Sequence, residues 1–117
     1  MKALLASLVG VVCAAGVAVM AQDPKLVEEG KKLYATYKCA DCHTIGGKGG
    51  RLMKNSPLDA VGTKLSAADI KKWMTNTAEM EKTLEKPKKP AMSSKKYALK
   101  GPEVDALAAY MLTLTKK

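Results

Sequence analysis

Cys39-Ala40-Asp41-Cys42-His43 constrains this chain more than any other stretch, because C-x-x-C-H is a haem-attachment signature. Two thiols three positions apart can each add to one vinyl group on a haem edge, forming two thioethers. The histidine that follows then lies under the iron and supplies its fifth ligand. A chain built this way has to wrap around a flat, largely apolar disc. The motif does not decide alone, since zinc ribbons and dithiol oxidoreductases also use C-x-x-C.

The rest of the sequence argues against those two uses. His43 is the only histidine, and after Cys39, Cys42 and His43 no fourth zinc ligand is nearby. A redox-active C-x-x-C normally opens a helix after a strand, and no strand pattern precedes Cys39. A disulfide between Cys39 and Cys42 would close too short a loop to remove much denatured-state entropy. The chain also contains no Phe, and a domain of this size has a limited core of its own. A buried haem would supply the missing apolar surface.

The N-terminus reads as an export signal. Met1-Lys2 is followed by small and apolar residues from Ala3 to Met20, and Val19-Met20-Ala21 offers small side chains for cleavage before Gln22-Asp23-Pro24. This divides the chain into a signal peptide, 1–21, and one domain, 22–117. The apolar run is close to the lower limit for a membrane span, so an uncleaved anchor is the alternative. Cys13 lies within the run and leaves with it on cleavage. Val12 is too bulky for the residue that precedes a lipidated cysteine. The formal net charge is +9, and Lys2 is the only charged residue in the first 21. The mature part is therefore strongly basic, which suits acidic protein partners or anionic surfaces. One Trp and four Tyr, not interleaved with the basic residues, give no nucleic-acid platform.

Three segments have helical periodicity, and none makes a convincing strand, so the expected fold is all-α. Asp23 caps the first, from about Pro24 to Tyr37, with Leu26, Val27, Gly30, Leu33, Tyr34 and Tyr37 on one face. Ser66 and Asp69 form a capping-box start for the second, whose Ile70, Trp73, Met74 and Thr77 share a face and which Met80 closes. The third runs from about Pro102 to Leu114, with Val104, Leu107, Ala108, Met111 and Leu112 as its stripe. Gly46-Gly47-Lys48-Gly49-Gly50 lacks the strand and the G-K-[ST] ending of a phosphate cradle, and is expected to be a mobile loop. Glu85 to Met92 is lysine-rich, with Pro87 and Pro90 favouring an extended path.

With one histidine, the sixth iron position falls to methionine, to a weaker ligand or to nothing. Met74 and Met111 lie on apolar helix faces, where methionine usually fills core. Met53 follows His43 too closely to reach the opposite face of the ring. Met92, in a proline-stiffened loop well beyond His43, is the best candidate, and Met80 is the alternative.

These residues resemble the class I c-type cytochromes of the small bacterial monohaem type, over nearly all of the mature chain. Gly30-x-x-Leu33-Tyr34 before Cys39-x-x-Cys42-His43-Thr44 is similar to the family's first helix and attachment site. Gly62-Thr63-Lys64-Leu65 with Ile70-x-x-Trp73-Met74 resembles its middle loop and helix, Pro90-Ala91-Met92 its methionine loop, and Leu107-Ala108-Ala109-Tyr110-Met111 its last helix. Gly30 to Cys39 is one residue longer than the commonest spacing, and Ser93 stands where proline frequently follows the methionine. The resemblance implies one haem c, covalent through Cys39 and Cys42, with iron between His43 and Met92. It implies a close crossing of first and last helices at Gly30 against Leu107–Tyr110. It also places Trp73 with the haem residues, and gives Pro57 the role of accepting the histidine's other N–H through its carbonyl.

The implied function is electron carriage between redox proteins in a bacterial periplasm, without enzymatic activity. The alternatives are a haem subunit, or a sensing or enzymatic cytochrome with a labile sixth ligand. Lys82, Lys86, Lys88, Lys89, Lys95 and Lys96 bracket Met92 and would offer acidic redox partners a docking surface. No nucleic acid is expected, and membrane contact only through a partner complex or an uncleaved anchor.

Overall fold

The computed structural model describes residues 23–53 and 55–116. The expected export segment, 1–21, lies outside the described residues. Among these, no helix is long and apolar enough to cross a membrane.

Helix α1, Pro24–Thr36, starts where Asp23 accepts a hydrogen bond from the Lys25 amide at 3.0 Å, with proline in its first turn. The face of α1 that the periodicity marks is the buried one, with Gly30, Leu33 and Tyr34 inside. Its partner is the last helix, α5, Gly101–Leu112, which buries Val104, Ala106, Leu107, Ala108, Ala109 and Met111. The two cross at Gly30. A β-carbon there would run into the Ala106 carbonyl and lie 2.7 Å from the Tyr110 β-carbon. The crossing thus begins at Ala106, one residue before the expected stretch. Just beyond it, Tyr34 and Tyr110 pack edge to face, 5.7 Å between ring centres.

The second expected helix divides in two. α3, Ala67–Thr75, begins where Ser66 accepts from the Asp69 amide at 3.1 Å, and it buries Ile70 against α5. Asn76, at φ −134°, breaks the helix, and α4 then runs Thr77–Glu81. Asn is a weak helix former that competes for backbone hydrogen bonds. Its carbonyl takes the Glu79 and Met80 amides, both at 3.1 Å, to begin the new turn. A short helix that the periodicity does not mark, α2, Val61–Lys64, sits against the end of α5. The Gly62 amide donates there to the Leu114 carbonyl at 2.8 Å. Four residues are too few for a hydrophobic period to register.

The fold is all-α, with one small exception among the described residues. Strands β1, Thr44–Ile45, and β2, Lys48–Gly49, pair antiparallel. Gly46 and Gly47 between them both have positive φ, +60° and +77°, the two-residue turn that suits a right-twisted hairpin. The glycine run expected as a mobile loop is therefore an ordered hairpin. Its strands are too short for alternation to be read.

Candidate functional site

The attachment motif begins where α1 ends. Tyr37 caps the helix, Lys38 takes a left-handed conformation at φ +55°, and the chain turns into a single 3-10 turn, Cys39–Asp41. The His43 amide donates to the Cys39 carbonyl at 3.0 Å and the Cys42 amide to the same oxygen at 3.2 Å. Residues three and four apart on such a turn share a face, so Cys39, Cys42 and His43 come to one side. The hairpin braces this turn from behind. Gly50 N–H donates to the Ala40 carbonyl and Leu52 N–H to the Asp41 carbonyl, both at 2.7 Å. The fit admits only glycine at position 49. A β-carbon there would stand 2.5 Å from the His43 carbonyl and 2.7 Å from that of Ala40, at a φ of +93°.

His43 is oriented by the segment that follows the hairpin. Thr44 and Pro57 form an isolated parallel bridge, with Leu58 N–H donating to Thr44 O at 2.9 Å. The bridge carries Ser56 to the imidazole. The Ser56 carbonyl lies 3.1 Å from Nδ1 and the Ser56 hydroxyl 2.9 Å from the same atom. With its hydrogen on Nδ1 the ring donates to the Ser56 carbonyl, and the Nε2 lone pair is left for a metal. This corrects the expected Pro57 carbonyl: the accepting group belongs to Ser56, one residue earlier. The bridge at Pro57 is what brings its neighbour's oxygens under the ring. Burial lowers the His43 pKa, against the opposing Ser56 hydrogen bond, and so favours the neutral imidazole that ligation requires.

Cys39, Cys42, His43, Pro57, Trp73 and Met92 all line one cavity of about 530 Å³. That size and a mainly apolar wall are those of a cofactor site. Met92 arrives from the far end of the chain on a 3-10 turn, Met92–Lys95, after Pro90 and Ala91, which also line the wall. Met74 and Met111 reach the cavity from α3 and α5. Met80, the alternative ligand, is not among the lining residues. Ser56, Glu81 and Tyr97 are among the wall residues that the sequence did not mark. Ser56 carries no signal except its place before Pro57. Tyr97 sits at the wall and packs edge to face on Tyr37, 5.9 Å between ring centres.

The donor set fits haem: two thiols on one turn, an imidazole with its outer nitrogen tied down, and methionines, Met92 among them, in the wall of the same apolar cavity. It fits thiol exchange poorly. Burial pushes the Cys39 thiol up to about 11, so it stays protonated and a weak nucleophile near neutrality. The Cytochrome c family model matches residues 27–115. The chain belongs to the cytochrome c family. It is a haem-based electron-transfer protein with covalently attached haem c, and its Cys39 and Cys42 stand at the family's attachment position. No curated protein and no solved structure matched the chain. For this cytochrome c, α1 and α5 form the frame, the hairpin backs the attachment turn, and the segment from α3 to the Met92 turn supplies further wall of the cavity.

Proposed function

We propose that this cytochrome c is a monohaem carrier that passes single electrons between redox proteins in a bacterial periplasm, its iron held by His43 and Met92. The observation that carries this reading is that His43, the chain's sole histidine, lines one cavity together with Met92, which comes from the irregular Pro90-Ala91 segment, whereas Met74 and Met111 there belong to packed helices. Bound haem supplies a one-electron couple. The protein contributes the rest. Ser56 holds the imidazole in one tautomer and one orientation, so the ligand does not turn between oxidation states. The Met92 thioether is soft and neutral and favours the reduced metal over what a second nitrogen ligand would do. Apolar walls from Leu58, Ile70 and Leu65 exclude water and disfavour added positive charge, in the same direction.

With His43 and Met92 both holding the iron, the chain would leave no position for substrate, and the protein would carry electrons rather than act as an enzyme in this reading. Lys88 and Lys95 lie at the cavity wall, and Lys82, Lys86, Lys89 and Lys96 are exposed on the same stretch of chain. They surround the Met92 side with positive charge, which steers acidic partners to the haem edge and releases them quickly. Export by the segment 1–21 delivers the protein to the periplasm, where covalent attachment prevents loss of the group.

The test is a redox titration of the exported protein with optical detection, in the presence and absence of carbon monoxide. A reversible one-electron wave and a reduced spectrum indifferent to carbon monoxide are expected. A high-spin spectrum, or rapid carbon monoxide binding, would replace the carrier with a sensing or enzymatic cytochrome. A mass beginning at Gln22 checks the export step, and a retained N-terminus would indicate an anchor instead.

A further inference from the structure

From Glu85 to Met92, among the described residues, no backbone amide donates to another backbone group. Pro87 and Pro90 have no N–H to offer. The loop that delivers Met92 therefore does not hold its own shape through its backbone. Apolar contact at Leu84, Pro87, Pro90 and Ala91 lays it on the cavity, but such contact is non-directional and does not fix a sulfur atom in place.

The first directional tie after this stretch comes at Ser93, the residue next to Met92. Its amide donates to one carboxylate oxygen of Glu81 at 2.7 Å, and its hydroxyl to the other at 2.8 Å. Glu81 is the last residue of α4, so the anchor sits on a hydrogen-bonded turn of helix, which the loop lacks. Both bonds are charge-assisted, the stronger kind, and both groups are partly buried, which limits competition from water. Glu81 also lines the cavity. A second tether, from Lys88 Nζ to the Asn55 carbonyl at 3.1 Å, is exposed and lies further from Met92.

We propose that Glu81 is the positioning residue for the Met92 thioether: its carboxylate clasps Ser93 and holds the methionine turn closed on the cavity. The clasp takes the place of the proline that frequently follows the methionine in similar chains, replacing a stiff ring by a side-chain lock. It rests on Met92 ligation as proposed above. Opening the clasp raises the population in which the thioether is off the iron, and an exogenous ligand binds only that population.

The test is a titration of the ferric holoprotein with imidazole, following loss of the weak sulfur-to-iron absorption at the red edge. Glu81→Ala is expected to bind imidazole about tenfold or more tightly than the wild type, because two charge-assisted bonds are lost. Glu81→Gln, whose amide oxygen can still accept from the Ser93 amide and whose NH2 can only donate to the Ser93 hydroxyl, should fall between. Ser93→Ala should tighten binding less than Glu81→Ala, since the amide bond survives, and adding it to Glu81→Ala should change nothing further. Glu79→Ala, which removes an exposed partner of Lys82 on the same helix, is the control and should match the wild type.

An affinity for Glu81→Ala within about twofold of the wild type would overturn the clasp. So would equal shifts in Glu79→Ala, or a urea midpoint displaced enough to account for the imidazole shift by general loosening. If Glu81→Ala does not mature, Ser93→Ala carries the same decision. A wild type without the sulfur band would remove Met92 ligation first and the clasp with it.

Discussion

Gly30→Ala tests the crossing on which the whole site is built. Two effects oppose one another. In a helix interior alanine is favoured over glycine by about 1 kcal/mol, so on an open face the change would stabilise. Here the new methyl meets the Ala106 carbonyl and comes within 2.7 Å of the Tyr110 β-carbon. Neither is the far end of a flexible side chain, so relief requires α1 and α5 to move apart. That separation loosens the contacts of Leu33 and Tyr34 with Leu107 and Met111 in the one core cluster. Overpacking of this kind costs about 1–3 kcal/mol, and a backbone obstacle puts it at the upper end. The net expectation is a loss of about 2 kcal/mol. With a urea slope of about 1–2 kcal/mol per M, the midpoint should fall by about 1–2 M, measured on the holoprotein by circular dichroism. The haem spectrum of the folded state should change little, since the attachment turn lies beyond the end of α1. A variant as stable as the wild type, or more so, would refute the close crossing.

Gly49→Ala should reduce the yield of haem-loaded protein more than its surface position suggests, because its methyl would press on the His43 and Ala40 carbonyls behind the attachment turn; yield read from haem absorbance per unit protein checks it. The Glu103 carboxyl is held below its ordinary value by the Lys100 amide and then by the Tyr37 hydroxyl. Its contribution is therefore present above the unfolded value of about 4.3 and lost as pH falls through the lower folded value, so Glu103→Gln should flatten the acid limb of the stability curve. The Tyr37 hydroxyl is raised by the hydrogen bond to Glu103. Its share is present below about pH 10 and lost as pH rises through the higher folded value, so Tyr37→Phe should flatten the alkaline limb. Reversing charge at Lys86, Lys88 and Lys89 together should slow electron exchange with an acidic partner at low salt and leave the rate at high salt nearly unchanged. A rate independent of ionic strength in the wild type would remove the docking argument.

What could be read from the sequence follows from how each element is encoded. α1 and α5 are long enough for a 3.6-residue stripe, and Asp23, Pro24 and Pro102 mark their starts in local chemistry. Ser66 likewise announces α3, but the same stripe runs on through Asn76 and conceals the break before α4. The attachment turn was legible because Cys39, Cys42 and His43 are adjacent and each has a distinct chemistry. The hairpin was not. Its strands have two residues each, and the glycines that form its turn look like any flexible run until their φ angles are known. Ser56 in place of Pro57 is a difference of one residue in register, decided by the Thr44 bridge and invisible to composition. The Glu81–Ser93 contact joins residues twelve apart across an irregular loop, where no periodicity relates them.

The most direct test of the His43 and Met92 assignment compares the ferric near-red spectra of the wild type, Met92→Ala and Met80→Ala. The wild type and Met80→Ala should both show a low-spin haem with the weak sulfur-to-iron band, and Met92→Ala should lose the band. A band that survives in Met92→Ala, or disappears in Met80→Ala, would contradict the account.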